Sequence, residues 1–349
     1  MDEIAFLKSM LSIYSPSGEE DGVATYLLKE MTALGFQADR DEVGNVVGAI
    51  GDPEGEREIV LLGHMDTVPG IVPLREKAGR LYGRGAVDAK GPLAAFVLAA
   101  ARVGPQLRGT RLRVIGSVEE EAHGRGARHL ARTIPAPYCT IIGEPSAWEG
   151  ITVGYKGMLS LDYQGLQPGG HSAGENPGPA EKAVAVWNRL MLYAEQRNGG
   201  DFGRFNTVDP ALRDFCTFSD GLNEGVNMNI VVRLPPGLEA ATLEQEIRSW
   251  CNVAHLTFYP SDPPFETCKN TPVVRAMLQA IRGKGGRPRF KLKTGTSDMN
   301  IVGPAWGCAI VAYGPGDSSL DHTPQEHVEI EEFRRGTDIL AQTLETLAA

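Results

Sequence analysis

The chain of 349 residues has few cysteines, and none of them is spaced as a structural site would require. The five cysteines are widely separated, and no two form a Cys-x-x-Cys motif. An odd and scattered set of this kind indicates neither a disulfide framework nor a thiolate zinc site. A reducing compartment such as the cytoplasm is therefore expected.

The sequence also lacks a long apolar run and an excess of positive charge. Its longest apolar stretch, residues 92–101, is too short to span a bilayer. Its start, Met1-Asp2-Glu3, is acidic where a secretory signal would be basic. Lys and Arg number 34 against 44 Asp and Glu, a net charge of −10, which argues against general nucleic-acid binding. We expect a cytoplasmic protein that binds neither membrane nor nucleic acid.

Hydrophobic patterning predicts an α/β sheet in the first 150 residues. Apolar residues at helical spacing predict that a helix within residues 4–34 opens the fold. Strands are then predicted at residues 45–50, 58–63, 111–118 and 139–143, and helices near 91–103 and 124–133. This alternation favours an α/β fold in which a mixed sheet is covered by helices on both faces.

The pattern changes from Ile151 onward. Strands at 151–163, 213–218, 226–234 and 255–259, with helices at 180–196 and 243–252, follow the order β-α-β-β-α-β, which is the ferredoxin-like α+β plan. The first pattern resumes over residues 273–347. We therefore predict one domain in two parts, 1–152 and 265–349, interrupted at 153–264 by a second domain.

Histidines and carboxylates follow the predicted strands. His64 and Asp66 come directly after the apolar run at residues 59–62. Alternate residues of a strand point the same way, so Asp66 could hold the far ring nitrogen of His64, as the ligands of metal sites require. Further candidates are Asp88 in Gly83-Arg84-Gly85-Ala86-Val87-Asp88, the run Glu119-Glu120-Glu121, Glu144 in Gly143-Glu144-Pro145, and His322 in Asp321-His322-Thr323-Pro324.

Two histidines with several carboxylates suit zinc, cobalt or manganese in a hydrolytic site. With Asp88 as a bridge, the other ligands divide into His64 with Glu144 at one ion and Glu120 with His322 at the other. Two such ions can polarise a carbonyl and generate a hydroxide near neutral pH. One carboxylate must remain free as the general base. The prediction gives this role to Glu119 and places Glu121 on the surface.

These motifs closely resemble the two-zinc aminoacylase and carboxypeptidase G metallopeptidase family, which includes acetylornithine deacetylase and succinyl-diaminopimelate desuccinylase. The resemblance covers nearly the whole chain. It implies that residues 1–152 and 265–349 form a zinc-peptidase-like catalytic domain and that the inserted residues 153–264 form a lid and dimerisation domain. It implies two divalent metal ions per subunit, zinc or cobalt, and a co-catalytic amidohydrolase acting on a linear amide. The implied roles are Asp66 as orienter, Glu119 as base, and as ligands His64, Asp88, Glu120, Glu144 and His322.

The same resemblance assigns residues of the lid. In this family a His after a Gly pair reaches the reacting carbonyl, often from a dimer partner, and His171 in Gly169-Gly170-His171 matches it. An Arg near the end of a lid strand grips the substrate carboxylate, as Arg233 would. Asn227 and Thr296 are the other predicted substrate-binding residues, although Asn227-Met228-Asn229-Ile230 departs from the usual Asn-x-Ile-Pro. A homodimer through the lid is implied.

Finer details of the motifs most resemble those of one group of hydrolases in the family. These hydrolases release lysine or ornithine from the γ-carboxyl of the C-terminal glutamate of the amino-group carrier protein LysW. Those details are Ala89-Lys90-Gly91-Pro92, Gly154-Tyr155-Lys156-Gly157 and the motif around His322. The resemblance implies carrier-linked lysine or ornithine as substrate, in lysine and arginine biosynthesis. A deacylase of N-acetyl- or N-succinyl-amino acids remains the alternative, and a non-catalytic metal- or peptide-binding module is a further one.

A basic cluster stands out in this acidic chain: Lys284, Arg287, Arg289, Lys291 and Lys293. It directly precedes Thr294-Gly295-Thr296-Ser297-Asp298, which in the family lies by the substrate. Opposite charge steers association, so the cluster could dock an acidic carrier. A merely solvated loop is the alternative interpretation.

Overall fold

The computed structural model describes residues 2–171, 176–200, 203–251 and 254–349, and the chain divides into two compact units. The first unit contains residues 1–154, 267–292 and 297–349, and the second contains residues 155–266 and 293–296. The two units are defined by compactness. The domains expected from the sequence, with the lid at 153–264, remain a prediction.

The helices are α1 (Glu3–Ser12), α2 (Asp21–Ala33), α3 (Lys90–Val103), α4 (Arg125–Thr133), α5 (Pro179–Arg197), α6 (Ala240–Trp250), α7 (Pro272–Gly283), α8 (Asp298–Trp306) and α9 (Ile330–Ala348). The strands are β1 (Gln37–Arg40), β2 (Val46–Gly51), β3 (Arg57–His64), β4 (Arg75–Lys77), β5 (Arg80–Tyr82), β6 (Thr110–Ser117), β7 (Cys139–Gly143), β8 (Gly150–Tyr155), β9 (Gly157–Pro168), β10 (Asp209–Ser219), β11 (Asn223–Leu234), β12 (His255–Phe258), β13 (Phe265–Glu266), β14 (Arg289–Lys293), β15 (Ala309–Ala312) and β16 (His327–Glu329).

The main sheet of the first unit is mixed, and the predicted α/β class is confirmed. Its strands lie in the order β1-β2-β6-β3-β7-β15-β8, and β14 also pairs with β8. The central strands β6, β3, β7 and β15 are parallel, whereas β1, β2 and β8 join antiparallel. Because a parallel core is covered on both faces, β3 reads as a continuous apolar run and is buried from Ile59 to His64.

The order of the parallel strands locates a cleft. After β3 the chain adds β6 on one side of it and β7 on the other, which makes β3 the point where the strand order reverses. Functional groups of open α/β sheets gather at the carboxyl ends of strands at such a point. The side chains that follow His64, Ser117 and Gly143 are therefore brought together at one edge of this sheet.

The opening segment is two helices rather than the single predicted one. Pro16 and Gly18, whose φ is 89°, interrupt the helical pattern between α1 and α2. Proline lacks a backbone donor, and glycine adopts positive φ at little cost. The intervening loop is used by the site, because the Ser15 hydroxyl donates to the carbonyl of Met65 at 2.9 Å.

The second unit contains an antiparallel sheet in the order β10-β11-β9-β12. Along the chain its elements run β9-α5-β10-β11-α6-β12, which agrees with the predicted β-α-β-β-α-β order. Its core packs α5 and α6 on one sheet face through residues such as Leu161, Leu190 and Ile230. Over the described residues, the helices found are too short or too polar to cross a membrane.

Candidate metal centre

His64 ends β3 with a fixed ring orientation. Its side chain is 1% exposed, and Nδ1 lies 3.0 Å from the backbone oxygen of Asp66 and 3.4 Å from Oδ1 of the same residue. Both partners are acceptors, so Nδ1 carries the proton, and Nε2 is directed to Oδ1 of Asp88 at 3.2 Å. Partners of this kind orient histidines that bind metals. The predicted orienting role of Asp66 is compatible with this geometry.

Asp66 also binds the backbone of the acidic run. Its side chain is fully buried, and Oδ2 accepts from the Ser17 hydroxyl at 2.7 Å. The backbone N–H groups of Glu120 and Glu121 donate to Asp66 Oδ1 and Oδ2 at 3.1 and 3.0 Å. One carboxylate therefore positions the His64 ring and the turn that carries the acidic run.

The candidate ligands come together around Asp88. His322 Nε2 lies 3.0 Å from Asp88 Oδ2 and 2.8 Å from Glu121 Oε1. His64 Nε2 lies 3.2 Å from Asp88 Oδ1 and 4.0 Å from Glu144 Oε1. Two groups of ligand atoms thus share Asp88, each with its atoms within 4.8 Å of one another: His64 with Asp88 and Glu144, and Asp88 with Glu121 and His322. A third such group joins His64 to Glu120 and Glu121.

The acidic run after β6 differs from the prediction in its register, by which we mean which of its three glutamates face the histidines. Glu119 has a φ of 57°, and its carboxylate accepts from Arg125 Nε at 2.8 Å. Within the part of the chain that the structure describes, Glu119 belongs to none of the three groups. Glu121 was expected on the surface, which is wrong: its side chain is 10% exposed and faces His322.

The physical reason for this difference is where the strand ends. β6 ends at Ser117, and the Glu119 carbonyl then accepts from the N–H groups of Ala122 and Gly124 in a tight turn. The two-residue alternation of a strand no longer applies there. As a result Glu120 and Glu121, not Glu119 and Glu120, approach the two histidines.

The charges of the cluster stabilise one another. Burial lowers the pKa of His64, but hydrogen bonds to Asp66 and Asp88 and the charge of Glu120 outweigh it, so its pKa is raised well above the usual value. Hydrogen bonds to Asp88 and Glu121 raise the pKa of His322 to about 10. Although burial opposes ionisation, the two histidines hold the pKa of Asp88 well below its usual range.

Glu120 lies in the opposite electrostatic environment. Burial raises the pKa of this carboxyl well above its usual value, and the nearby charges of Glu144, Glu121 and Asp298 add to the effect while His64 opposes it. Its side chain is 13% exposed, and Oε2 lies 3.9 Å from His64 Nε2. So many convergent carboxylates repel one another, and divalent cations would neutralise this repulsion.

The donor set fits divalent metal ions. Two imidazole nitrogens and carboxylate oxygens, without a thiolate, suit zinc, cobalt or manganese. Asp88 can offer one oxygen to each side, because Oδ1 faces His64 and Oδ2 faces His322. His64 with Glu144 would hold one ion, and Glu121 with His322 would hold the other.

A profile of peptidase family M20/M25/M40 matches residues 60–346, which is most of the chain. The chain belongs to this family. The resemblance predicted from the motifs is thereby confirmed, since this M20 family match spans all of the candidate ligands from His64 to His322.

Individual relatives agree with this placement in the M20 family. A protein of Deinococcus radiodurans named LysW-lysine hydrolase is 40% identical, with 98% of this chain and 96% of that protein covered. A LysW-lysine/LysW-ornithine hydrolase of Sulfurisphaera tokodaii is 29% identical over 94% of this chain and 90% of its own length. The M20-family metallo-carboxypeptidase Sso-CP2 of Sulfolobus solfataricus has the same fold, with a TM-score of 0.82 at 17% identity, over 100% of this chain and 99% of its own.

The predicted lid residues lie in the second unit. His171 is exposed in the loop after β9, and the residues that follow it in the motif, Ser172 and Ala173, lie outside the described ranges. Arg233 and Thr296 are brought together, since Arg233 Nη1 donates to Thr296 Oγ1 at 3.0 Å. Asn227 is exposed six residues before Arg233 on β11, a distance of ~20 Å along a strand. Asn227 and Arg233 of one chain therefore do not grip the same small carboxylate.

Two further buried acidic residues, Asp298 and Glu20, contact the segments that carry the cluster. Asp298, at the start of α8, is 3% exposed and its Oδ2 accepts from the Ser117 hydroxyl at 2.7 Å. Glu20 is 3% exposed and its Oε1 accepts from the backbone N–H of Glu119 at 3.0 Å. Asp298 belongs to the segment 294–298 that the resemblance places by the substrate, whereas Glu20 was not predicted, because its burial depends on tertiary contacts that local sequence does not show.

Proposed function

We propose that this chain is a metal-dependent amide hydrolase that releases lysine or ornithine from the γ-carboxyl of the C-terminal glutamate of LysW. The observation that carries the hydrolase class is the pair of ligand groups that share Asp88, with Glu120 beside them. The names of the full-length relatives at 40% and 29% identity support the carrier-linked substrate. Zinc is the proposed metal and cobalt the alternative.

The roles of the glutamates are proposed with a shift of one residue from the sequence-based prediction. Glu121, with Asp88 and His322, replaces Glu120 as a ligand, and Glu120 replaces Glu119 as the general base. When bound, the two metal ions polarise the amide carbonyl and lower the pKa of water. Glu120 takes a proton from water and delivers it to the leaving amine.

The lid supplies the remaining proposed contacts. His171 would stabilise the oxyanion that forms at the reacting carbonyl, and the Arg233 guanidinium with the Thr296 hydroxyl would bind a carboxylate of the substrate. Asn227 is proposed to contact a different part of the substrate, because it is far from Arg233 along β11. A homodimer through the lid and a cytoplasmic location are also proposed.

The decisive test of the substrate compares two amides on the purified enzyme. Turnover of LysW-linked lysine is expected to exceed that of N-acetyl-lysine by ~100-fold or more in kcat/KM, because remote contacts with the carrier contribute binding energy that a small acyl group lacks. Release of free lysine measures both reactions. Comparable values, or a preference for N-acetyl-lysine, would favour the small-molecule deacylase instead.

The basic cluster is proposed to dock the acidic carrier. Within the cluster, the proposed contact surface is centred on Arg287 and Arg289. Lys284, Arg287 and Arg289 are all exposed, and Lys284 forms an ion pair with Asp338 at 2.7 Å. Arg289 precedes the exposed side chain of Phe290 on β14. A basic strand with an apolar side chain suits an acidic protein surface better than a small ligand.

Charge reversal tests this docking surface. The double variant Arg287→Glu and Arg289→Glu is expected to lower kcat/KM for the carrier-linked substrate ~10-fold or more and leave N-acetyl-lysine unchanged, because steering by opposite charge acts on encounter. Added salt should slow the parent strongly and the variant weakly. The matched control is Lys29→Glu with Arg132→Glu, two exposed basic residues on α2 and α4. Equal effects of the two double variants would contradict docking at the cluster.

A further inference from the structure

Glu326 is a buried carboxylate close to the metal ligands but outside their set. Its side chain is 0% exposed. Oε1 accepts from the backbone N–H of Val87 at 3.0 Å and from that of Asp88 at 3.1 Å. A single carboxylate oxygen therefore holds the backbone of the ligand that the two proposed ions would share.

The other oxygen of Glu326 is held by Arg84. Arg84 Nη1 donates to Glu326 Oε2 at 2.7 Å, and its side chain is only 10% exposed. The same guanidinium donates from Nε to the carbonyl of Gly70 at 3.1 Å and from Nη1 to that of Thr323 at 3.4 Å. The pair thus joins the loop that leads into Asp88 to the residue that follows His322.

These ties matter because neither ligand stands on a helix or strand. Asp88 lies in the segment between β5 and α3, where Gly85 has a φ of 85°, and His322 has a φ of 60° in the loop before β16. Loops hold side chains less accurately than regular elements do. The separation of Asp88 and His322 therefore depends on side chains that connect the two loops.

We propose that Glu326, together with Arg84, is a positioning pair that sets the separation of Asp88 and His322 and so determines the affinity of the cation site these two ligands share. The proposal rests on the metal centre under Proposed function. In this role the pair acts through the loops that carry the ligands and not directly on the substrate. Its effect is transmitted through the Asp88 backbone and the Thr323 carbonyl, and outer contacts of this kind change metal affinity ~10- to 100-fold.

Three variants of the full chain test the proposal by titration of metal-free protein with Co²⁺, followed by visible absorption and by metal content after dialysis. Glu326→Gln keeps an acceptor for Val87 and Asp88 but turns N–H donors toward Arg84. Arg84→Lys keeps the charge but not the planar fork. The matched control is Glu329→Gln, which removes an exposed ion pair to Arg80 at 2.6 Å, only three residues from Glu326.

Glu326→Gln is expected to weaken one of the two Co²⁺ sites at least ~10-fold and to change the absorption spectrum per bound ion. Arg84→Lys should act in the same direction, and Glu329→Gln should match the parent. Parental affinities and spectra in both test variants would overturn the proposal, even if the metal-free proteins were less stable to heat. If Glu326→Gln does not fold, the Co²⁺ affinity and spectrum of Arg84→Lys alone decide whether the proposal holds. A parent that binds no Co²⁺ would instead contradict the metal centre itself.

Discussion

Replacing Glu120 by Gln is expected to lower turnover by ~100-fold or more while both metal ions stay bound. Gln fills the same volume but cannot take a proton from water, and a general base contributes ~10²- to 10⁴-fold to rate. The charge of Glu120 is not needed to hold metal if Glu121 is the ligand, because Glu121 and Asp88 already face His322. The measurement is kcat together with metal content per subunit.

The adjacent glutamates are matched controls that decide the register of the acidic run. Glu119→Gln removes only an ion pair to Arg125 that is partly exposed, so it should retain activity within a few-fold. Glu121→Gln should lose metal as well as activity. If Glu119→Gln instead loses activity with full metal content and Glu120→Gln loses metal, the original assignment of base and ligand is correct.

Removal of the metal ions is expected to abolish activity and to leave the secondary structure intact. The ligands lie on loops at the edge of a sheet that has its own apolar core around β3, β6 and α3. The fold therefore differs from small domains whose folding depends on metal. Chelation followed by far-ultraviolet circular dichroism and an activity assay measures both effects, and Zn²⁺ or Co²⁺ should restore turnover.

The thermal midpoint provides a second readout of metal removal. Ions that bind only the folded state stabilise it in proportion to the logarithm of their concentration, so the midpoint should rise as metal is added back. If the added ion bound unrelated surface groups instead, the midpoint could rise without any recovery of turnover. Full activity in metal-free protein would contradict the two-ion mechanism.

The positions of four candidate ligands could be predicted because each stands where the sequence is informative. His64 and Glu144 directly follow buried β-branched runs, and Asp88 and His322 lie in motifs rich in Gly and Pro. Such patterns indicate strand ends and turns. The structure brings all four together in two groups that share Asp88, and their role as metal ligands remains a prediction.

The register of Glu119, Glu120 and Glu121 could not be predicted in the same way. Three identical residues carry no internal signal, and strand alternation was extended beyond Ser117, where β6 has already ended. The left-handed conformation of Glu119 is set by tertiary contacts, among them the bond from its N–H to Glu20. Glu326 and Arg84 were missed for a related reason, since their pairing joins residues far apart in sequence.

The discontinuous first unit has a consequence for biosynthesis of the protein. His64, Asp88, Glu121 and Glu144 are translated before the second unit, whereas His322 is translated after it. Chains grow from the amino terminus and domains generally fold as they emerge, so a nascent chain holds a partial ligand set throughout synthesis of residues 155–266. The proposed two-ion centre is therefore complete only after His322 has been translated, whereas the group formed by His64, Asp88 and Glu144 can assemble earlier.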